Sequence, residues 1–470
     1  MNKHISRRDF LKLAGGATLT VAGVSLLPQF LRKTLMPESV VAAAGDYDLF
    51  FAGTDGWFYL PNGPTVNSPY HPDSLAESPL TTYIFGFRNV TNYVDSVGGL
   101  TAAEKRIGQK MKAQHNAPFM WVDQYDPVAG PGHPNHKDFK IQLTNLGLAL
   151  RPDLTDAHTL HWHGFRNVIP FFDGEPTGSI SVMVGQNFTY VYRPHDPGTY
   201  MYHCHVEDIE HVTMGMTGLV FVRPLQNGNT SYYPSGKYAY NDGDGTTGYD
   251  REFAMFLSEI WLLGHWNDAH IQESSWDNFK ADFSLLNGRV FPDTLLPNSP
   301  VDMTAPSSSN VLTIQTDPDT GDLSTNVGLE HLQYQPHSAL ITCNEGERVL
   351  LRFANLGFRE ASMTLAGINV HVVGRDATPM KGRDGTDTSY VTDTLLMGAG
   401  ESFDAIFTAP AYQGPGAYDT YVLYNRRYTQ DDDTADGTQG QRTEVRVYPT
   451  GTLGAQQYLN QHPDDTALMP

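Results

Sequence analysis

Short runs of β-branched and aromatic residues, broken by Gly, Pro, Asn and Asp, fill most of this chain and constrain its fold more than any other feature. Examples are DFKIQLTNLG, QNFTYVYRP, GLVFVRP and RVLLRFANLG. The 44 glycines and 30 prolines supply the many turns that such a chain needs. Short strands at this spacing are typical of β-sandwiches and Greek-key barrels, so we predict an all-β protein.

A weak internal repeat indicates how the strands are divided. DFKIQLTNLG in the first half resembles RVLLRFANLG in the second, since each is a strand that ends in Asn-Leu-Gly. We therefore predict two related Greek-key β-domains, over residues 45–225 and 250–450. Residues 226–249, rich in Gly, Asn, Asp, Ser and Thr, form the predicted linker, and residues 451–470 form a polar C-terminal tail.

The N-terminus resembles an export signal rather than a folded element. SRRDFLK, from Ser6 to Lys12, is similar to a twin-arginine signal, and an apolar run follows from Leu13 to Leu27. VVAAAG then offers small residues for cleavage after Ala44. We predict a signal peptide over residues 1–44 and a periplasmic or extracellular protein. An uncleaved membrane anchor is the alternative.

The net charge of −21 limits the kinds of molecule that the protein is expected to bind. Phosphate binding needs clustered Lys and Arg, so an anionic chain is a poor partner for nucleic acid. We expect no nucleic-acid partner.

Histidines are concentrated in two short stretches. Seven of the 18 lie between residues 158 and 211, mostly in AHTLHWHG and YHCHVEDIEH. Residues two apart on a strand point to the same face, so His161 and His163 project together. His203 and His205 do the same, and Cys204 between them points the opposite way. One strand can therefore serve two metal sites.

Sulfur and imidazole ligands near Cys204 favour copper. Cys204, His211 and Met216 offer a thiolate, an imidazole and a thioether, and one more histidine, with His158 as the candidate, completes a blue-copper set. Zinc is the rival metal, but structural zinc sites usually carry more cysteines and Met is a poor zinc ligand. The alternative without metal is a His-rich surface loop. Cys343, the second cysteine, is predicted to be a buried free thiol.

HTLHWHG together with YHCHVEDIEHVTMGM resembles the multicopper oxidases, the laccase-like enzymes built from cupredoxin domains. The resemblance implies a type 1 copper and a second group of coppers, the type 2 and type 3 ions of a trinuclear cluster. The implied type 1 ligands are His158, Cys204, His211 and axial Met216. The implied cluster ligands are His161, His163, His203 and His205.

The same resemblance extends to an acidic residue. FFDG follows HWHG, and Asp173 lies where these enzymes carry an acid near the cluster. The implied role is catalytic, a proton relay during the reduction of O₂. The alternative is that Asp173 is only a turn residue before Gly174.

The second half departs from the family pattern. A trinuclear cluster of this family takes eight histidines from two domains, whereas Ala361, Thr364 and Ala366 occupy the expected positions here. Three interpretations remain open: two chains bring their first domains together, the four histidines bind one or two further coppers, or only the type 1 copper matters. Copper nitrite reductases are a further relative, disfavoured by Thr364 and His161.

From these features we predict a copper-dependent oxidoreductase with no other cofactor. It would oxidise a phenol-like or metal-ion reductant, or a redox partner protein, and pass electrons from the type 1 copper to the cluster and O₂. We also expect a homo-oligomer. The alternative function is a blue-copper electron-transfer or copper-binding protein without oxidase activity.

Overall fold

The computed structural model describes most of the chain after its first 47 residues. The described ranges are 48–62, 68–91, 107–166, 168–298, 303–304, 313–314, 329–427 and 440–465. The predicted signal peptide, residues 1–44, lies outside them. No helix among the described residues combines the length and the apolar character that a membrane crossing needs.

The described part of the first half contains eight strands and one short α-helix. The strands are β1 (Leu49–Phe58), β2 (Thr82–Asn89), β3 (Met120–Asp123), β4 (Phe139–Gly147), β5 (His161–His163), β6 (Asn187–Tyr192), β7 (Gly198–His203) and β8 (Thr217–Arg223). Helix α1 (Asp208–Met214) connects β7 to β8.

These strands form two four-stranded sheets that face each other. Sheet I has the order β2-β1-β4-β6, and sheet II has the order β3-β8-β7-β5. Aromatic rings join the two sheets: Phe51 meets Tyr202 with ring centroids 5.9 Å apart, and Trp162 stacks on Tyr192 at 4.2 Å. The first half is therefore a β-sandwich with an aromatic core.

The second half contains the remaining strands and helix α2. The strands are β9 (Arg251–Ile260), β10 (Phe283–Leu286), β11 (Met303–Thr304), β12 (Thr313–Ile314), β13 (Ile341–Asn344), β14 (Arg348–Asn355), β15 (Ala361–Leu365), β16 (Val370–Arg375), β17 (Thr378–Pro379), β18 (Tyr390–Thr392), β19 (Thr394–Met397), β20 (Ser402–Thr408), β21 (Asp419–Asn425) and β22 (Arg442–Tyr448). Helix α2 spans Leu262–Ala269.

Sheets III and IV make the second sandwich. Sheet III runs β10-β9-β14-β20-β16-β17, with β18 also paired to β16, and sheet IV runs β13-β22-β21-β15-β19. On β22 the buried residues Thr443, Val445 and Val447 alternate with half-exposed ones, as expected for a strand that covers one side of a core. The prediction of an all-β protein is confirmed.

β9 is buried along its whole length because it is covered on both faces. Phe253 and Met255 belong to the core between sheets III and IV. Ala254 and Phe256, which point the other way, pack against Phe119 and other residues of the first half. The two halves thus share a continuous apolar contact.

A buried network of charges crosses the same contact. Arg352 of β14 pairs with Asp404 of β20 at 3.1 Å and with Glu252 of β9 at 3.0 Å. The Thr199 hydroxyl of β7 donates to Asp404 at 2.6 Å. The strand that leads to His203 and Cys204 is therefore anchored at its start to the second half.

Two segments expected to be peripheral are built into the fold. In the predicted linker, Tyr240 and Tyr249 are buried against Leu350 of sheet III. In the predicted polar tail, Leu459 lies in the core shared by the two halves, and Asn460 accepts a hydrogen bond from the backbone of Ala254. Polar side chains of this predicted polar tail bond the backbone of β9; the domain bounds given above stay a prediction.

Candidate copper site

The pairing of β5 with β7 decides where the histidines point. His161 lies opposite His203, and Trp162 lies opposite Tyr202. Directly paired residues share a face, so Trp162 and Tyr202, both fully buried, enter the sandwich. His161 and His203 consequently project from the other face of sheet II.

Four imidazoles meet on that outer face, which we call the histidine face: His161, His163, His203 and His205. The ring of His161 lies 5.2 Å from that of His203 and 5.0 Å from that of His205, measured between centroids. Nδ1 of His163 lies 3.4 Å from Nε2 of His203. One nitrogen from each of His161, His163 and His203 lies within 4.8 Å of the others, a spacing that a metal ion can bridge.

The backbone fixes which ring nitrogens face the centre of this group. Nδ1 of His161 bonds the carbonyl oxygen of Asp173 at 2.7 Å, and Nδ1 of His203 bonds that of Cys204 at 2.8 Å. Such bonds set the tautomer and leave the other nitrogen as an acceptor, as is usual for metal-binding histidines. Burial lowers the pKa of His161 and His163, and lowers that of His203 to about 3. The rings are therefore neutral at pH 7.

A second group, fully buried, lies on the opposite side of Cys204. We call it the sulfur site: His158, Cys204, His211 and Met216. Sγ of Cys204 lies 3.2 Å from Nδ1 of His211, and the rings of His158 and His211 are 5.1 Å apart. His158, Cys204 and His211 each place one ligand atom within 4.8 Å of the others.

Met216, which follows the C-terminal end of α1, also lies at the sulfur site. The backbone amide of Cys204 donates to the carbonyl oxygen of Met216 at 3.1 Å. Gly53 of β1 lies next to the side chains of His158 and Met216. A Cβ at Gly53 would be 2.7 Å from His158 Cδ2 and 3.4 Å from Met216 Cε. The thioether and the His158 ring are thus neighbours.

The donor set of the sulfur site fits copper. Both ring nitrogens of His158 are buried without a hydrogen-bond partner, which is costly unless something binds there. Burial lowers the pKa of His211 to about 4, so its imidazole is neutral and ready to bind a metal. Burial raises the pKa of the Cys204 thiol to about 11, so a metal must displace the thiol proton. Two imidazoles, one thiolate and a thioether are blue-copper ligands.

Helix α1 was not predicted from the sequence, which indicated only a loop between Cys204 and His211. Its seven residues bury His211 against the sandwich. The helix ends at Gly215, which has φ of 123° and lies so close to the Phe85 carbonyl oxygen that a Cβ would be 2.7 Å from it. Only glycine fits there, and the tight turn returns the chain to Met216.

A pair of carboxylates beside His211 was also missed. We call Asp156 and Glu207 the carboxylate pocket. One oxygen of each lies with a nitrogen of His211 in a group whose atoms are all within 4.8 Å of one another. Oδ2 of Asp156 is 4.0 Å from Nε2 of His211, and neither atom has a hydrogen-bond partner. The two acids are distant in sequence, so spacing alone gave no signal.

Asp173 lies next to the histidine face. A single 3₁₀ turn, Pro170–Phe172, precedes it, and its carboxylate Oδ1 is 3.5 Å from Nδ1 of His161. Gly174 follows with φ of 76°, where a Cβ would clash with the Leu160 carbonyl. The acid is half-buried and well placed to exchange protons with solvent; its catalytic role stays a prediction.

The second half brings no imidazole to the histidine face within the described residues. Thr364 of β15 bonds Thr394 hydroxyl to hydroxyl at 2.8 Å within sheet IV. Gly400 of the second half lies beside His163, since a Cβ there would be 3.2 Å from Nε2. His371 bonds Ser389 instead, at 2.6 Å.

The remaining site candidates have ordinary structural surroundings. His265 lies within α2 and His270 follows its last residue, and they bond different partners, the Tyr83 carbonyl and the Asp73 carboxylate. Cys343 is a buried free thiol in β13, and Cys204 is also free.

Comparisons with known proteins agree with this geometry. Two family profiles, both described as multicopper oxidase, match residues 141–227 and 291–450. The chain belongs to the multicopper oxidase family and is therefore an oxidoreductase with copper cofactors. No protein of curated function is similar enough in sequence to count as a match.

Two solved structures share the fold. The blue copper oxidase from Nitrosomonas europaea is 18% identical, with a TM-score of 0.51 and 85% of each chain covered. The multicopper oxidase mgLAC is also 18% identical, with a TM-score of 0.52, covering 88% of this chain and 91% of its own. The cupredoxin-like architecture predicted from the sequence is confirmed.

Proposed function

We propose that this chain oxidises a metal-ion reductant at the sulfur site and delivers the electrons to O₂ at the histidine face. The observation that carries the proposal is the position of Cys204, a sulfur-site residue whose two covalent neighbours, His203 and His205, lie on the histidine face. Only a few covalent bonds of the chain at the end of β7 therefore separate the two sites.

Each group has a definite part in this proposal. Bound copper would supply one-electron oxidation of the reductant and reduction of O₂ to water. The sulfur site would hold its ion away from solvent, whereas His161, His163 and His205 of the histidine face are partly exposed and would give a small molecule access. Asp173 would pass protons from solvent towards the histidine face, beside Nδ1 of His161.

The carboxylate pocket favours a metal ion over a phenol as the reductant. Asp156 and Glu207 present oxygen ligands to one side of His211, whose Nε2 is buried and without a partner. Carboxylate oxygen ligands suit divalent cations such as Mn(II). The net charge of −21 also attracts cations and repels anionic organic substrates.

The competing proposal is a blue-copper electron carrier. It is favoured by the four imidazoles of the histidine face, half the number that a complete cluster of this family takes. Such a carrier would be reduced at the sulfur site and would transfer its electron to a partner protein rather than to O₂.

Oxygen uptake with the copper-loaded protein separates these proposals. We expect uptake with Fe(II), Mn(II) or Cu(I), and a rise of about tenfold or more in KM for the metal ion in Asp156→Asn/Glu207→Gln, because a ligand pair has been lost. Glu360→Gln, an exposed carboxylate paired with Arg427, is the matched control and should leave KM unchanged.

Two results would contradict the proposal. An unchanged KM for every metal ion in the double variant would remove the carboxylate pocket from the reductant site. No oxygen uptake with any metal ion or phenol, from protein that keeps its blue absorbance, would favour the carrier.

We also propose export through a twin-arginine signal in residues 1–44, supported by SRRDFLK and VVAAAG. Replacing Arg7 and Arg8 with lysine should retain the full-length precursor in the cytoplasm. Export of the double variant at the normal rate would contradict this proposal.

A further inference from the structure

A small cavity, which we call the junction cavity, lies where four segments of the chain meet. Its volume is about 160 Å³, and none of the residues that line it belongs to the sulfur site or the histidine face. The walls come from the end of β8, the predicted linker, β9 and the predicted tail, and their polar residues include Arg223, Asn227, Lys237, Glu252 and Gln456. A volume of this size has room for several water molecules or for a small ion, and the polar walls suit either.

Arg223 forms one side of the junction cavity in a fixed orientation. Its guanidinium group lies over the Trp121 ring, 4.2 Å from the centroid, and Nη2 donates to Oε1 of Glu252 at 2.7 Å. Nε is buried and has no hydrogen-bond partner among the described residues. A buried donor without an acceptor costs free energy, so an acceptor that reached Nε from the cavity would remove that cost.

The acid that lines the junction cavity already has its partners. Glu252 accepts hydrogen bonds from Arg223 and from the fully buried Arg352, which also pairs with Asp404. Burial alone would raise the pKa of Glu252, but the charges of Arg223 and Arg352 lower it to about 2. Two guanidinium groups therefore meet two ionised carboxylates, and this network is complete without the lysine on the other side of the cavity.

That lysine, Lys237, lacks a charged partner. Its Nζ donates to the Asp250 carbonyl oxygen at 3.4 Å, and no carboxylate of the described residues lies within ion-pairing distance of it. Burial lowers the pKa of the ammonium group, although the charge of Glu252 acts in the opposite direction from a longer distance. A half-buried ammonium group without a counter-ion is costly, so the charge of Lys237 also favours an anion in the cavity.

We propose that the junction cavity binds a small inorganic oxyanion, such as phosphate, between Arg223 and Lys237. Hydrogen bonds from guanidinium and ammonium groups to phosphate oxygens are charge-assisted and are among the stronger ones in proteins. Asn227 offers a further donor, because its Oδ1 accepts from the Tyr238 amide at 2.9 Å and its amide nitrogen stays available. The site needs no copper, so this proposal goes beyond the proposed function and does not rest on it.

The anion would connect the segments that hold the two halves together. Arg223 belongs to the first half and Lys237 to the predicted linker. Gln456 of the predicted tail completes the wall, because its amide accepts from the Glu252 backbone at 2.7 Å and donates to it at 2.9 Å. A ligand that binds only the folded state raises the free energy of unfolding by mass action, so we expect phosphate to stabilise this junction.

Isothermal titration calorimetry with sodium phosphate tests the proposal on the copper-loaded and the copper-free protein. Sodium chloride at equal ionic strength is the reference. We expect saturable binding of about one phosphate per chain in both forms, and a rise in Kd of about tenfold or more in Lys237→Gln, because a charge-assisted contact is lost. Lys237→Arg keeps the charge and should keep most of the affinity.

The matched control is Lys110→Gln, which removes an exposed lysine outside the cavity and should bind phosphate like the parent. Urea unfolding checks that the cavity variant still folds. Without phosphate, Lys237→Gln should be at least as stable as the parent, because a half-buried unpaired charge has been removed. Phosphate should then stabilise the parent and the control but not Lys237→Gln.

Three results would overturn the proposal. The first is the absence of saturable heat with both phosphate and sulfate, which would leave only water in the cavity. The second is an equal Kd in Lys237→Gln and the parent. The third is an equal gain in stability for all variants, since that is the general effect of a salt excluded from protein surfaces. Oxygen uptake plays no part in these measurements, so the proposed function can fail without changing their outcome.

Discussion

At the scale of single residues, Gly53 shows how closely β1 fits the sulfur site. Gly53→Ala would place a methyl group 2.7 Å from His158 Cδ2. We expect a loss of about 1–3 kcal/mol in the free energy of unfolding, because the ring or the strand must shift. The blue absorbance should weaken as well, since His158 moves from its place.

Gly130→Ala is the control for this prediction, because nothing lies within 4 Å of a Cβ at Gly130. Denaturant unfolding and visible absorption of both variants provide the measurement. If Gly53→Ala matched the control in stability and colour, the close approach to His158 would be disproved.

Residue patterns revealed the groups that lie close in sequence and missed those that do not. The alternation of His203, Cys204 and His205 was enough to predict two sites on two faces. Asp156, Glu207 and Gly53 gave no such signal, because their contacts with His211 and His158 join separate strands and loops. Spacing along a chain carries no information on contacts of that kind.

At the scale of elements, strand β7, which ends at His203, depends on the second half. Asp404 of β20 accepts hydrogen bonds from Thr199 and Tyr240 at 2.6 Å and pairs with the fully buried Arg352. Asp404→Ala should lower the free energy of unfolding by about 3–5 kcal/mol, because it leaves a buried guanidinium with one partner fewer.

Asp138→Ala provides the comparison for that prediction. Asp138 pairs with Arg193 at the surface, where side chains are 31% and 53% exposed, so its loss should cost about 1 kcal/mol or less. Equal losses in urea unfolding of the two variants would contradict the role of the buried network.

The strands were easier to predict than the connections between them. Short runs rich in apolar residues, such as RVLLRFANLG, correspond to strands, here β14. Helix α1 is only seven residues long, too short for a helical pattern to stand out, and its form is imposed by the burial of His211. The predicted linker and tail look polar in composition. In the structure, buried tyrosines of the linker pack on sheet III, and polar side chains of the tail bond the backbone of β9. Composition reveals neither contact.

At the scale of the whole molecule, buried histidines govern the response to acid. Burial lowers the pKa of His115 and His337 to about 3 and that of His265 to about 4, and all three lie outside the copper site. In the unfolded chain each would have a pKa of about 6.5. Below that pH the unfolded state binds more protons, so the free energy of unfolding falls as the pH is lowered.

We therefore expect the copper-free protein to lose stability between about pH 6.5 and 4, by up to about 1.4 kcal/mol per histidine for each pH unit. Urea unfolding at several pH values measures this slope. His337→Phe, which keeps the stacking on Phe119, should make the slope shallower, whereas removal of the exposed His195 should not. A flat profile through this range would show that the histidines are protonated without unfolding.

The sulfur site also has a consequence for the order of assembly. Cys204, His211 and Met216 lie within thirteen residues, while His158 precedes Cys204 by 46. Closing a short loop costs less entropy than closing a long one, so a copper ion present during refolding meets the three near ligands first. If these four residues are the ligands, the near three would capture the ion, and His158 would join them only when β1 and Gly53 complete the sandwich. In stopped-flow refolding with copper, uptake of the ion should precede the appearance of the blue colour.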